Sequence, residues 1–559
     1  MRFGAFACSS SNLSNSTGIV GSCPGKPRPN QSRIRDLPRG RRRRRSSSGS
    51  LQTARRISKR CSRPRRSRSG TTSPAGVGSL RRVSSARSAG ASSEEASRIT
   101  SFTSSPRTTR PMRSTTATLG SGRSSRRRSG SSRTRRSSGS ARQSLNVEVE
   151  SDDTPGASMI VSRPTLYRDA ALADPSGPSL RKEVSVLVDA GHVVWIRSSS
   201  DEGALPPDVH VIDAGGSTIV PGMVDAHSHV TLPGGSHWID RGADPPEELL
   251  EVAEHNGDLL GRAGVRWARD VGSPLAVDPR DGQKRALALR VRERWRLDPN
   301  RPRIRVAGTW ISHSGVITGG LLIEADDGPA LLKAASTQLD DGADFLKLYL
   351  DGPKKEEAPW STEDVQAVVE LAHGRGAKVT AHSGFLVGAR VGIDAGVDSL
   401  EHGFELDSDA VAMMARQGTF LVSTLAIFRS WASFAQTTTL PRFVSDEGKE
   451  RIARRRERAI ESVHLAYRAG VPIATGTDFG GGSLRANHLA WEVESLVEVG
   501  LKPWEALASA TVRGGDLLNE PEAGRIVEGG PADFFLVHGD PLTDPTALWR
   551  VWRVAWLPG

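Results

Sequence analysis

Residues 219–230 read IVPGMVDAHSHV. An apolar run entered through Pro221 and Gly222 predicts a short buried strand. Side chains alternate along a strand, so Asp225, His227 and His229 share one face. Two imidazoles on one face of a buried strand are half of a metal site. Taken alone, the pair reads equally well as two ordinary core histidines. What decides between the readings is whether the rest of the chain brings further ligands to the same place.

Beyond this stretch, apolar runs recur with helical patterns between them. Strands are predicted at 265–271, 304–311, 345–350, 378–382, 399–402, 419–425 and 472–478, which with the first makes eight. The intervening segments carry helix signals. Ser361 to Asp364 reads as an N-terminal cap before Val365, Val368, Val369 and Ala372. Glycines 264, 342, 376, 396 and 470 stand where a helix should stop before the next strand. Eight such alternations predict an α/β chain folded as a (β/α)8 TIM-like barrel over 221–519. Functional side chains in that fold sit at the C-terminal ends of the strands. His227 and His229 end the first strand, Lys347 lies in the fourth, His382 ends the fifth, His402 the sixth and Asp478 the eighth. Each alone has an ordinary explanation, but six in these positions predict a metal-binding site.

The flanks of the barrel read as β-structure. A hairpin is predicted from 184–188 and 193–196 about a turn at 189–191, with further strands at 209–212, 524–527 and 532–537. None is long enough to bury a core alone. They are expected to combine, 157–220 with 520–559, into a small composite β-sandwich domain.

The charge balance separates the ends of the chain further. The net charge is +13 overall, yet residues 1–150 hold 34 Lys and Arg against 5 Asp and Glu, leaving 42 against 58 in the remainder. Residues 1–156 form an Arg/Ser-rich arm without apolar periodicity, expected to be disordered. Three readings of the arm compete: nucleic-acid binding through its Arg runs, a transit peptide, or GC-rich sequence read from a start codon assigned too far upstream. The last is preferred. The arm lacks aromatic residues interleaved for base stacking, and the acidic body offers no continuing basic surface. All three cysteines, Cys8, Cys23 and Cys61, lie in the arm. A metal in the body must therefore use His, carboxylate or a modified Lys. No apolar run reaches membrane-spanning length and no secretory signal pattern opens the chain, so a cytoplasmic location without membrane association is expected. A small-molecule substrate and a homo-oligomeric assembly complete these expectations.

Several segments carry a resemblance: VIDAGGSTIVPGMVDAHSHV, RDVG at 269–272, GADFLKLY, VTAHS, GVDSLEHG, GVPIATGTD, LVEVGLKPWEALASAT and GRIVEGGPADFFLV. Together they resemble the amidohydrolase superfamily of metal-dependent hydrolases, in its imidazolonepropionase-like branch, which also holds prolidase-like dipeptidases. The likeness spans about 157–550. It implies that His227, His229 and Asp478 bind one divalent ion and that His382 and His402 bind a second, with zinc the expected metal. It also implies that Lys347 is carboxylated by carbon dioxide and bridges the two ions. An ammonium cannot ligate a cation, whereas a carbamate offers two anionic oxygens, and an apolar strand disfavours the ammonium. If Lys347 is instead a buried ion-pair partner, the site holds one metal.

The activity so implied is hydrolysis of an amide-type, non-peptide or cyclic carbon–nitrogen bond by a metal-activated hydroxide, with Asp478 as general acid and base. Tyr349 and His313 are the candidates for stabilising the oxyanion. Alternatives are an Xaa-Pro-like or other dipeptidase, an N-acyl amino acid hydrolase, or an inactive barrel that serves as a binding module. A long loop at 427–445, with Trp431, Phe434, Phe443 and Arg442, is expected to contact substrate. One stretch departs from the resemblance: related chains often carry a GGH-type sequence after the third strand, and residues 312–320 here read SHSGVITGG.

Overall fold

A computed structural model describes residues 163–316 and 321–558. The arm at 1–156, with every expectation placed on it, lies outside them, as do residues 317–320 of the departing stretch.

The body opens with five strands: β1 (Thr165–Leu172), β2 (Arg181–Asp189), β3 (His192–Ser198), β4 (His210–Asp213) and β5 (Ser217–Pro221). β1, β2 and β3 form an antiparallel ladder. The β2–β3 turn places Ala190 and Gly191 at φ 46° and 78°. Two successive positive φ values give a turn whose twist matches that of the strands it joins. β1 also pairs in parallel, with β4 along Thr165–Arg168 and with β5 along Ala171–Leu172. The change of partner falls at Asp169, at φ 61°. This irregularity lets one strand serve two neighbours on the same edge.

A parallel series follows. It comprises β6 (Met223–Ser228), β7 (Val265–Asp270), a hairpin of β8 (Leu275–Val277) and β9 (Lys284–Ala286), then β10 (Arg303–Val306), β11 (Trp310–Ser312) and β12 (Leu322–Glu324). Next come β13 (Phe345–Tyr349), β14 (Lys378–Ser383), β15 (Ser399–His402), β16 (Phe420–Ser423) and β17 (Ile473–Thr475). Among the described residues these strands pair in the orders β10-β7-β6 and β12-β11-β13-β14-β15-β16-β17. The expected third strand, 304–311, is broken into β10 and β11 at Gly308, which adopts φ 79°. A Cβ there would collide with the Gln338 side chain, whose Oε1 accepts a hydrogen bond from Thr309 N at 2.7 Å. Two links span the ends of these sheets. Asp344 N donates to Val306 O at 2.8 Å, and Asp478 N donates to His227 O at 2.8 Å beside an isolated parallel bridge between Ser228 and Phe479.

Helices fill the connections where the caps place them. Ser361 and Asp364 form a capping box at the start of helix Thr362–Gly374, each side chain accepting the other's backbone N–H. Val365, Val368, Val369 and Ala372 are its buried face. Leu346, Leu348, Val379, Leu400, Leu421 and Ile473 from the strands are buried in the same large core. The expected loop at 427–445 is largely helical, as Ala426–Thr437 and Pro441–Val444. Glu492, from a distant helix, accepts Ala426 N at 2.6 Å and so caps that helix from outside its own sequence.

β18 (Phe534–His538) and β19 (Val551–Val554) return to the first five strands. β18 lies antiparallel to both β5 and β19. The result is one continuously paired seven-stranded sheet, β19-β18-β5-β1-β2-β3 with β4 beside β1, drawn from both ends of the body. Pairing is continuous because β1 changes partner at its irregularity. Residues 524–527, read as a strand, are irregular; Gly529 N nonetheless donates to Val193 O at 2.7 Å against β3.

Candidate metal centre

β6 and the residue that follows it deliver three polar side chains with different fates. Asp225 accepts Thr477 Oγ1 at 2.6 Å and Thr477 N at 3.0 Å. It therefore ties the first strand of the parallel series to the segment after the last. Burial pushes its carboxyl up to about 7, against hydrogen bonds that favour the anion. His227 and His229 lie beyond it, with Nε2 atoms 3.5 Å and 3.3 Å from Asp478 Oδ1.

The remaining ligand candidates converge on the same place. The His402 ring lies 4.6 Å from that of His227 and 4.5 Å from that of His382. One ligand atom from each of His227, His402 and Asp478 falls within 4.8 Å of the others. Alternation along β15 would send His402 to the same face as Leu400, yet both Glu401 and His402 face the cluster. The backbone achieves this by taking His402 to φ 70°, and Asp478 similarly sits at φ 54°. Non-glycine residues in this region are strained, and such strain gathers at functional sites. The segment after Asp478 approaches closely because it is glycine-rich. A Cβ on Gly481 would strike the His229 ring, and one on Gly482 the Asp478 carboxylate.

Lys347, on β13, is 1% exposed, and its Nζ has no hydrogen-bond partner. Burial lowers its amine to about 8, with Glu401 and Asp478 opposing and Arg269 reinforcing the shift. Burying an ammonium is costly, so the position makes the neutral, nucleophilic amine more accessible than it is on a solvated lysine. Burial also holds His382 and His402 below the usual histidine range, in the neutral form that ligates cations. Burial pushes Asp478 the other way, but His227, His229 and His402 outweigh it and hold the carboxyl well below its ordinary value. Four imidazoles and one carboxylate, beside the buried amine of Lys347, form a donor set suited to divalent cations.

The two candidates for oxyanion stabilisation are placed differently. Tyr349 stacks on His382, with ring centroids 3.9 Å apart and planes 11° from parallel. Burial raises its phenol well above the usual value, so it remains a proton donor. His313 is about a third exposed; its Nδ1 lies 3.1 Å from Ser314 O and 3.6 Å from Asp326 Oδ1. Arg442 donates to Ser236 O and lies over Phe443. Phe434 packs against Phe443, and Trp431 against Phe428, so the aromatic side chains expected to meet substrate pack on one another.

Sequence reasoning assigned no role to three residues that hold the histidines. Glu401 Oε2 lies 2.6 Å from His227 Nδ1, and Arg269 Nη2 is 2.5 Å from Glu401 Oε1. Asp351 Oδ2 lies 3.3 Å from His382 Nε2. Burial pushes Glu401 up, but Arg269, Lys347 and His227 outweigh it and hold the carboxyl well below its usual range. The signal available was charge inside apolar strands: Arg269 opens RDVG, and Glu401 precedes the ligand candidate His402.

The family model described as "Amidohydrolase family" matches residues 218–554, which is more than half the chain. The chain therefore belongs to the amidohydrolase family, hydrolases acting on carbon–nitrogen bonds whose members generally use a divalent metal. It is 31% identical over 338 residues to an uncharacterized protein of Mycobacterium tuberculosis strain H37Rv, covering 60% of this chain and 82% of that one. It is 27% identical over 417 residues to the imidazolonepropionase of Anaeromyxobacter dehalogenans, covering 67% and 90%. A crystal structure of a Xaa-Pro dipeptidase with methionine bound in its active site superposes with a TM-score of 0.59 at 24% identity, over 69% of this chain and 97% of that one. This last likeness speaks to the fold. Among the described residues no helix is long and apolar enough to cross a membrane.

Proposed function

We infer that the chain is a binuclear, zinc-dependent amidohydrolase that opens an amide-type, non-peptide or cyclic carbon–nitrogen bond in a small molecule. The observation that carries this reading is the convergence of His227, His229, His382, His402 and Asp478, with the buried amine of Lys347 within reach of the Asp478 charge and without a hydrogen-bond partner. The strands are taken to close as a (β/α)8 barrel spanning 221–519. The hydrogen bonds linking Val306 to Asp344 and His227 to Asp478 support closure. The small sheet is assigned to 157–220 and 520–559.

His227, His229 and Asp478 would hold one ion, and His382 and His402 the second. A bridge from Lys347 needs a carbamate. The neutral amine attacks carbon dioxide, a carbon–nitrogen bond forms, and one N–H proton leaves to solvent. The product carries an anionic carboxylate in place of an amine that would repel cations. When bound, divalent ions lower the pKa of a water and polarise the scissile carbonyl. Asp478, an anion beside the histidines, would act as general base toward the attacking water. It then returns the proton to the leaving nitrogen, as a general base followed by a general acid. Tyr349 keeps its phenolic proton and is favoured over His313 as the donor to the developing oxyanion.

The imidazolonepropionase relative favours a cyclic substrate, with dipeptides and N-acyl amino acids as the second class. The test is a panel of cyclic amides, N-acyl amino acids and Xaa-Pro dipeptides given to the zinc-loaded protein, with Asp478→Asn as control. Turnover of one class, abolished in the variant, is the expected result. A zinc-loaded protein that turns over nothing, or a variant that retains the rate, contradicts the reading and leaves a binding module.

A further inference from the structure

Each histidine of the cluster is held from behind, and the four anchors differ. His229 Nδ1 lies 2.8 Å from Gly272 O, and His402 Nδ1 lies 2.8 Å from Thr424 Oγ1, both neutral acceptors. His227 and His382 instead meet carboxylates outside the ligand set, and they do so through opposite ring nitrogens. Glu401 takes Nδ1 of His227 at 2.6 Å. Asp351 takes Nε2 of His382 at 3.3 Å. One carboxylate-anchored histidine thus falls in each half of the centre.

Both carboxylates are themselves fixed. Glu401 Oε1 accepts from Arg269 Nη2 at 2.5 Å, from Ser399 Oγ at 3.2 Å and from Thr380 Oγ1. Arg269 Nε in turn donates to Ala226 O at 2.6 Å, on the residue before His227. The bonds therefore run in a circuit from His227 through Glu401 and Arg269 back to β6. Asp351, just beyond β13, accepts from Gly384 N at 3.0 Å, Ser383 Oγ at 3.1 Å and Phe385 N at 3.3 Å. These bonds fasten it to the segment that follows His382. A carboxylate behind a ligating imidazole selects its tautomer, fixes the ring plane and raises its basicity toward the cation.

We propose that Glu401 and Asp351 are positioning residues that divide control of the metal centre, Glu401 governing the ion held by His227 and Asp351 the ion held by His382. This rests on the two-ion reading above. Neither residue touches an ion; each acts through its histidine.

The full chain carrying Glu401→Gln or Asp351→Asn tests the division. Zinc content is read by elemental analysis and stepwise affinity by chelator competition, and cobalt-substituted protein supplies an absorption spectrum for each half-loaded form. The wild type should hold two ions. Each variant should weaken one step by an order of 10–100-fold while sparing the other, and the double variant should weaken both. The two half-loaded cobalt spectra should differ. Glu401→Gln leaves Arg269 buried without its counter-ion, so Glu401→Gln with Arg269→Gln removes both charges together and should show the same selective loss. Thermal unfolding of the metal-free proteins shows which variants are folded. Two ions held with wild-type affinity in every folded variant, or both single variants losing the same ion, overturn the proposal while the two-ion reading stands. A wild type that holds one ion or none overturns both.

Discussion

Strand β13 reads FLKLY and strand β18 reads FFLVH; each spans five residues. β13 is buried along its whole length and β18 along all but its terminal histidine. In β18 both faces are apolar: Phe535 and Val537 join the large core, Phe534 and Leu536 the core of the small sheet. In β13 one face, Leu346 and Leu348, joins the large core, while the other presents Lys347 and Tyr349 to the histidine cluster. Burial on both sides of β18 drives folding. Burial of the Lys347 face works against it, since a buried polar group without a partner is destabilising. Two strands of equal length and similar burial thus differ in purpose, and substitutions in each should report on different observables.

The largest effect is expected at the polar face. Asp478→Asn should cut kcat by about 10²–10⁴-fold, the span associated with losing a general acid–base group, with little change in unfolding midpoint. A kcat within threefold of wild type at matched metal content breaks the comparison. Phe534→Ala, in the apolar strand, should cost about 3–5 kcal/mol of stability by denaturant unfolding. Zinc per folded chain should be unaltered, and a parallel loss of zinc would show that the two regions are not separable.

Glu492 sharpens the comparison by pH. Burial pushes this carboxyl up to about 7 from an ordinary 4.5, against hydrogen bonds from Ser423 Oγ and from the backbone of Ala426 and Leu425. The folded chain holds this proton to a higher pH than the unfolded chain. The group's contribution is therefore complete below about pH 4.5 and falls as pH rises through about 7. Stability measured at pH 5 and pH 8 should decline more in the wild type than in Glu492→Gln, by on the order of 3 kcal/mol. Equal declines would remove Glu492 from the account. The smallest effect is expected for Tyr349→Phe, about 10²-fold in kcat if the phenol supports the oxyanion, with KM for the same substrate little changed. An unaltered kcat would return the role to His313.

Much of this contrast is legible in the sequence. The period of two in IVPGMVDAHSHV and FLKLY places His227, His229 and Lys347 on inner faces, because alternation is a local property of extended chain. Where the backbone departs from the ideal, the pattern fails. His402 joins Glu401 on the inner face only through its left-handed φ, and nothing in SLEHG announces it. The break at Gly308 depends on Gln338, thirty residues away in sequence, and the helix at Ala426–Thr437 on the carboxylate of Glu492. The double pairing of β1 arises from competition among strands from both ends of the body, which no single segment encodes. Glu401 and Asp351 escaped for the same reason: a carboxylate that positions a histidine is defined by its partner, not by its neighbours in sequence.

The central claim is that Lys347 is buried without a hydrogen-bond partner because it becomes a bridging ligand. It is tested most directly by metal content. Wild type and Lys347→Ala, each prepared with zinc and bicarbonate, are compared by elemental analysis. Close to two ions per chain in the wild type, falling sharply in the variant, is the predicted result. Equal zinc in the two proteins would contradict it, leaving Lys347 an ordinary buried amine and the centre a site without a bridge.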